Sequence, residues 1–185
     1  MPKVIHVKKA RKAIRSAGIK VGDSYYWWKF RFGPKQVSKT PPKRQQLTQS
    51  DFLSQVYDLE DRIGELSPVN IDDLTSELSS IADDIRTLGD EQQEKLDVMP
   101  EALQDSSSSG ELLRERVDAC EAWADEIEGV QVDEPDRDSI EARIRAEETD
   151  HTDIDVLVDE AFEQEVAKAV QAAIDEAQGA CAPGA

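Results

Sequence analysis

The chain predicts a mainly α protein. A small N-terminal β-hairpin or three-stranded module precedes antiparallel, acidic, coiled-coil-like helices. Three observations predict this. Residues 25–32 hold six of the ten aromatic residues and alternate with a period of two. From residue 48 onward, apolar residues recur at spacings of three and four. Charge divides at the same place: residues 1–46 carry thirteen Lys/Arg and one acid, Asp23, while residues 47–185 carry nine Lys/Arg and thirty-nine acids. The net charge of -18 therefore joins a +12 segment to a -30 segment. Such asymmetry points to a module for nucleic acid or another anionic partner, attached to an acidic body.

In chain order, Val4-Ile5-His6-Val7 is a short β-branched run suited to an edge strand or a tether. Lys8 to Ala17 suits one basic helix, with Gly18 as its C-cap and Ile19 as the following hydrophobic contact. Val21 to Ser24 turns the chain. In the aromatic stretch, Tyr26, Trp28, Phe30 and Phe32 share one strand face, and Tyr25, Trp27, Lys29 and Arg31 share the other. The first face requires a core; the second suits an anionic partner. Gly33-Pro34-Lys35 makes the hairpin turn, Gln36 to Lys39 pairs back, and Thr40 to Arg44 is a polyproline-type linker. These residues make up a first region, 1–46.

Region 47–104 predicts a helical hairpin. Thr48 with Asp51 suits a capping box, and Phe52, Val56, Leu59, Ile63 and Leu66 form a seam that Pro68 ends. Ile71, Leu74, Leu78, Ile81, Ile85 and Leu88 form a second seam, ended by Gly89. Two seams around a short break predict antiparallel pairing. Asp90 then caps a short third helix using Leu96, Met99 and Leu103. In region 105–178, Ser106 to Gly110 is a loop, and Ser108 with Glu111 caps a helix whose seam is Leu113, Val117, Cys120, Ala124 and Ile127, closed by Trp123. Val130 to Asp138 is a break. Ser139 to Glu148 is a short helix on Ile140 and Ile144, and an alanine-rich helix spans Thr152 to Gln178. Residues 179–185 form a loose tail. The heptad seams predict a homo-oligomer assembled through helices.

No catalytic constellation is visible, so the chain reads as a non-enzyme without a cofactor. His6 and His151 are the only histidines, which leaves almost no material for Ser-His or Cys-His chemistry. Cys120 at a seam position reads as core. The run Glu147 to Asp155 has metal-ligand types but no calcium-loop spacing, and acids at a helix N-terminus explain it without a metal. Cys120 and Cys181 have no zinc spacing, no apolar run reaches transmembrane length, and the N-terminus lacks a signal-peptide core. These features predict a cytoplasmic protein that does not enter a membrane. A salt-adapted proteome would account for an acidic body whose only lysines are Lys95 and Lys168, but that bias should also reach the lysine-rich first region.

The candidate nucleic-acid-binding residues are Tyr25, Trp27, Lys29, Arg31, Lys35 and Lys39 on the sheet, with Lys8, Lys9, Arg11, Lys12 and Arg15 as a second phosphate-tracking element. An acidic protein surface suits the same cations, including the chain's own acidic helices. Those helices read as a solvated face or as a carboxylate array that mimics nucleic acid.

Gly22-Asp23-Ser24-Tyr25-Tyr26-Trp27-Trp28-Lys29-Phe30-Arg31-Phe32, followed by Gly33 to Thr40, resembles the N-terminal arm-type DNA-binding modules of phage integrases. That resemblance implies a small three-stranded sheet that reads duplex DNA, with Lys29, Arg31, Lys35 and Lys39 as contacts. No recombinase domain with a catalytic tyrosine follows, so recombination is not implied. The whole chain resembles small phage or mobile-element proteins.

Overall fold

The computed structural model describes residues 1–147 and 153–184. The protein is mainly α, with a small three-stranded antiparallel sheet at its N-terminus. The chain divides into two units, Met1–Asp58 and Leu59–Ala185.

In the first unit, β1 (Ile5–Val7), β2 (Tyr25–Lys29) and β3 (Lys35–Ser38) form a sheet in the order β1-β2-β3. The basic helix expected over Lys8 to Ala17 does not form; only a 3-10 turn at Arg15–Ala17 does. Its backbone donors are taken by tertiary pairing. Ala10 N–H donates to the Asp23 carbonyl at 2.8 Å, Gly22 N–H donates to the Ala10 carbonyl at 2.9 Å, and Ile14 bridges Ile19. Burial of Ala10 and Ile19 holds this loop, which overrides helix propensity. Gly18 does terminate the short turn in the left-handed region, at φ 62°.

Strand β2 stops earlier than the aromatic alternation suggests. The Lys29↔Lys35 pair closes the hairpin, so residues 30–34 become its turn. Phe32, expected in the core, is 79% exposed. After β3 the chain passes through a 3-10 turn, Arg44–Leu47, into α1 (Asp51–Gly64), which begins in this unit. The cap is Ser50 rather than Thr48: the Ser50 hydroxyl accepts from Leu53 N–H, and the Thr48 hydroxyl accepts from Ser50 N–H.

The second unit is built on α2 (Ile71–Asp97) and α4 (Ser108–Glu128), joined through the single-turn α3 (Glu101–Gln104). Helix α2 starts at an Asn70 cap whose side chain accepts from Asp73 N–H at 2.7 Å. Its seam residues Leu74, Leu78, Ile81, Ile85 and Leu88 are buried as the spacing predicts. Gly89 does not end it. The helix continues to Asp97 because Gly89 faces α4, where an added Cβ would lie 3.1 Å from that of Cys120. A small residue at the crossing lets the two helices approach closely.

The main partner of α2 is α4, where the seams had suggested α1. Contacts Gly89 to Cys120 and Arg86 to Asp125 and Glu128 run in opposite chain directions, so the α2/α4 pair is antiparallel. Ser107, not Ser108, caps α4 by accepting from Gly110 N–H at 3.1 Å. Helices α5 (Arg137–Glu147) and α6 (Ile154–Gly179) pack together, tied by Arg137 to Asp159 and by Arg143 to Glu165. Among the described residues, no helix is long and apolar enough to cross a membrane.

Two outcomes test this packing. A Cβ at Gly110 would lie 2.3 Å from the Gln104 carbonyl oxygen, so Gly110→Ala must shift backbone. We expect Gly110→Ala to lose about 1–3 kcal/mol in urea unfolding followed by circular dichroism. Burial pushes the Cys120 thiol up to about 11, while Cys181 is exposed. A thiol reagent at pH 8 should label one cysteine in the native chain and two in denaturant.

Candidate nucleic-acid interface

The register places side chains on two faces of the sheet. Trp27 pairs with Ile5 and Val37, Tyr25 with Val7, and Lys29 with Lys35. By alternation, Tyr25, Trp27 and Lys29 share one face with Ile5, Val7, Lys35 and Val37. His6, Tyr26, Trp28, Gln36 and Ser38 occupy the other.

On the second face Trp28 alone is buried, while His6 and Gln36 are exposed. Trp28 is 4% exposed, and its indole N–H donates to the Gln46 carbonyl at 3.1 Å. His6 stacks on Tyr26 with ring centroids 4.5 Å apart. The alternation of the aromatic stretch holds from Tyr25 to Lys29 and ends at the turn, but Tyr25, Tyr26 and Trp27 are all half-buried, so burial separates only Trp28 from its neighbours.

The first face carries the charge. Lys29 and Lys35 sit directly opposite one another across the strands, and both are exposed. Like charges at facing positions of a sheet repel, so this pair costs stability unless an anion lies near it. The Lys35 ammonium also lies 4.0 Å from the centroid of the half-buried Trp27 ring. A cation fixed over an indole is held in place while its outer side remains open to an acceptor.

The remaining candidates are distributed differently. Arg31 lies in the turn, its guanidinium 5.2 Å from the Phe32 centroid. Lys39 lies outside β3 and approaches Asp23 at 4.0 Å; the same carboxylate accepts from Lys20 N–H. Lys8, Lys9, Arg11 and Lys12 are exposed along an irregular loop, and Arg15 is exposed in its 3-10 turn, so these five do not form one helical cationic rod. The structure thus gathers Tyr25, Trp27, Lys29 and Lys35, and leaves Arg31 and Lys39 off the strands.

Sequence reasoning missed a cleft beside this face. It has a volume of about 420 Å³ and an apolar lining that includes Phe30, Leu47, Leu53 and Tyr57, with Lys29 and Arg31 also at its wall. The Arg44 guanidinium lies 4.2 Å from the Tyr57 centroid. The sequence signal was faint: Tyr57 is one position past the seam residue Val56, and Leu47 reads only as the residue before a helix cap.

The second unit holds nine Lys/Arg against thirty-seven acids. Its arginines serve as internal ties, including Arg62 to Asp84, Arg86 to Glu128, Arg114 to Asp105 and Arg145 to Glu141. The carboxylate excess consequently remains on the outside. Cys120 is fully buried, and its raised thiol pKa keeps it protonated near neutrality, as a core residue rather than a nucleophile. Among the described residues, no group of three His, Cys, Asp or Glu side chains could hold a metal ion. Residues 148–152 of the acidic run 147–155 lie outside the described residues.

The anchoring of the sheet by Trp28 is testable without any ligand. Trp28→Phe keeps an aromatic ring but removes the donor to Gln46. We expect a loss of about 1–3 kcal/mol in urea unfolding of the first unit, from the missing hydrogen bond and the smaller ring.

No protein-family model matches the chain, and neither a curated protein nor a solved structure matches it.

Proposed function

We propose that the first unit binds nucleic acid, with DNA the favoured form, through the sheet face that carries Tyr25, Trp27, Lys29 and Lys35. The observation that supports this most directly is the facing Lys29 and Lys35 pair beside Trp27. A phosphate near the two ammonium groups relieves their repulsion, and an aromatic surface next to them suits a base or a sugar. The charge balance of the unit agrees. Residues 1–58 carry thirteen Lys/Arg and three acids, Asp23, Asp51 and Asp58, and Asp23 is already engaged with Lys39. On this reading the protein is a non-enzymatic accessory factor, and its helical unit is a body or assembly platform. The resemblance to arm-type modules supports DNA over RNA.

A second reading rests on the acidic helices. Their arginines are used in internal pairs, which leaves an unneutralised carboxylate surface suited to a basic protein, as in nucleic-acid mimicry. The same logic makes an acidic protein the rival partner for Lys29 and Lys35.

One titration separates these partners. The full chain is mixed with labelled oligonucleotides and, separately, with labelled polyglutamate across a salt series. We expect oligonucleotide binding that weakens linearly with the logarithm of salt concentration. Lys29→Ala with Lys35→Ala should weaken it and flatten the salt slope by about 2, since each released phosphate contact contributes about 0.9. Absence of oligonucleotide binding at low salt, or tighter binding of polyglutamate, would sink the nucleic-acid reading.

A further inference from the structure

We propose that the cleft beside the hairpin turn receives an unpaired base, so that the first unit takes single strands and open ends in preference to closed duplex. The inference rests on the nucleic-acid reading above, and on the form of the ligand it departs from the duplex that the resemblance to arm-type modules implies.

Three features of the turn carry it. The cleft is apolar where Phe30, Leu47, Leu53 and Tyr57 line it and cationic where Lys29 and Arg31 do. That division suits a ligand with a flat apolar part and an anionic part. At about 420 Å³ it lies near the lower end of binding-pocket volumes, roughly 300–1,000 Å³, which suits one nucleotide. A paired base keeps both faces stacked within its duplex and cannot enter.

The second feature is Phe32. An aromatic ring that is 79% exposed forgoes the burial that normally stabilises it, and here it stands next to Arg31, whose guanidinium is 5.2 Å from its centroid. An exposed ring with an adjacent cation is the arrangement that stacks on a base and holds its phosphate. The turn therefore offers a stacking surface outside the cleft and an apolar floor inside it.

The third feature is preorganisation. The Gln49 amide donates to the Phe32 carbonyl at 3.5 Å, and the Trp28 indole donates to the Gln46 carbonyl at 3.1 Å. These two bonds tie the turn and the sheet to the segment that supplies Leu47 and Leu53, so the cleft exists before a ligand arrives. Lys29 belongs to both the cleft and the sheet face, which makes the two one continuous surface.

The test uses the full chain and three labelled probes of equal charge: a thymidine oligomer, a duplex closed at both ends by non-nucleotide linkers, and a duplex with a five-nucleotide overhang. We expect the single strand and the overhang to bind at least tenfold more tightly than the closed duplex. Phe32→Ala, at an exposed position that leaves packing intact, should remove about tenfold of the affinity for the first two and leave the closed duplex unchanged. Leu53→Trp, which fills the cleft, should do the same. A thermal melt confirms folding, and if Leu53→Trp is destabilised, Phe32→Ala decides. Equal affinity for closed duplex and single strand overturns the inference while nucleic-acid binding stands. A single-strand preference that Phe32→Ala does not reduce overturns it as well. Absence of binding to all three probes removes both the inference and the function on which it rests.

Discussion

The first unit depends on the burial of Trp28. It is the one buried strand residue of a sheet whose three strands have only three, five and four residues. Isolated sheets of that size have little area to bury and are marginal in water. Trp28 supplies a large apolar surface, and its N–H reaches the Gln46 carbonyl in the segment that leads into α1. That donor, with the Gln49 amide bond to the Phe32 carbonyl, ties the hairpin to that segment. Once Trp28 points inward, alternation turns Trp27 and Tyr25 the other way, and Lys29 is brought opposite Lys35. The geometry of the candidate interface thus follows from the packing of the residue next to it.

In the helical unit the corresponding constraint is close approach. Gly89 and Cys120 meet where α2 crosses α4, and neither has the bulk to push the helices apart. The buried seam of α2 and the buried Trp123, Ala124 and Ile127 of α4 then share one core. Ion pairs from Arg86 to Asp125 and Glu128 lie at its edge, exposed enough that solvent screens them and they add little to stability. Apolar packing holds this unit; its charge serves the surface.

The cations of the first unit and the carboxylates of the second belong to one chain. Attraction between exposed charges weakens as salt rises, because it is screened beyond about 8 Å at physiological ionic strength. A partner that also stacks on aromatic rings gains an interaction that carboxylates lack. On the proposed reading, the exposed Phe32 and the half-buried Trp27 would bear on selectivity between anions, and the lysines on attraction to all of them.

Much of this architecture was readable from local pattern. Period-two alternation separated Tyr25, Trp27 and Lys29 from Tyr26 and Trp28, because neighbouring strand residues must point to opposite faces. Period three-and-four spacing located α1, the first part of α2, and α4, because a helix needs an apolar stripe to bury. The charge boundary followed from composition alone. Other features were decided by contacts distant in sequence. Lys8 to Ala17 has helix-forming composition, but Ala10 and Ile19 are buried in a loop whose hydrogen bonds go to Asp23 and Gly22. Gly89 looks like a helix end until Cys120 is placed against it. Phe32 looks like core until the register of Lys29 with Lys35 puts it in the turn. The cleft joins residues from a hairpin and a helix start nearly twenty positions apart, and such a juxtaposition exists only once Trp28 has drawn Gln46 to the sheet.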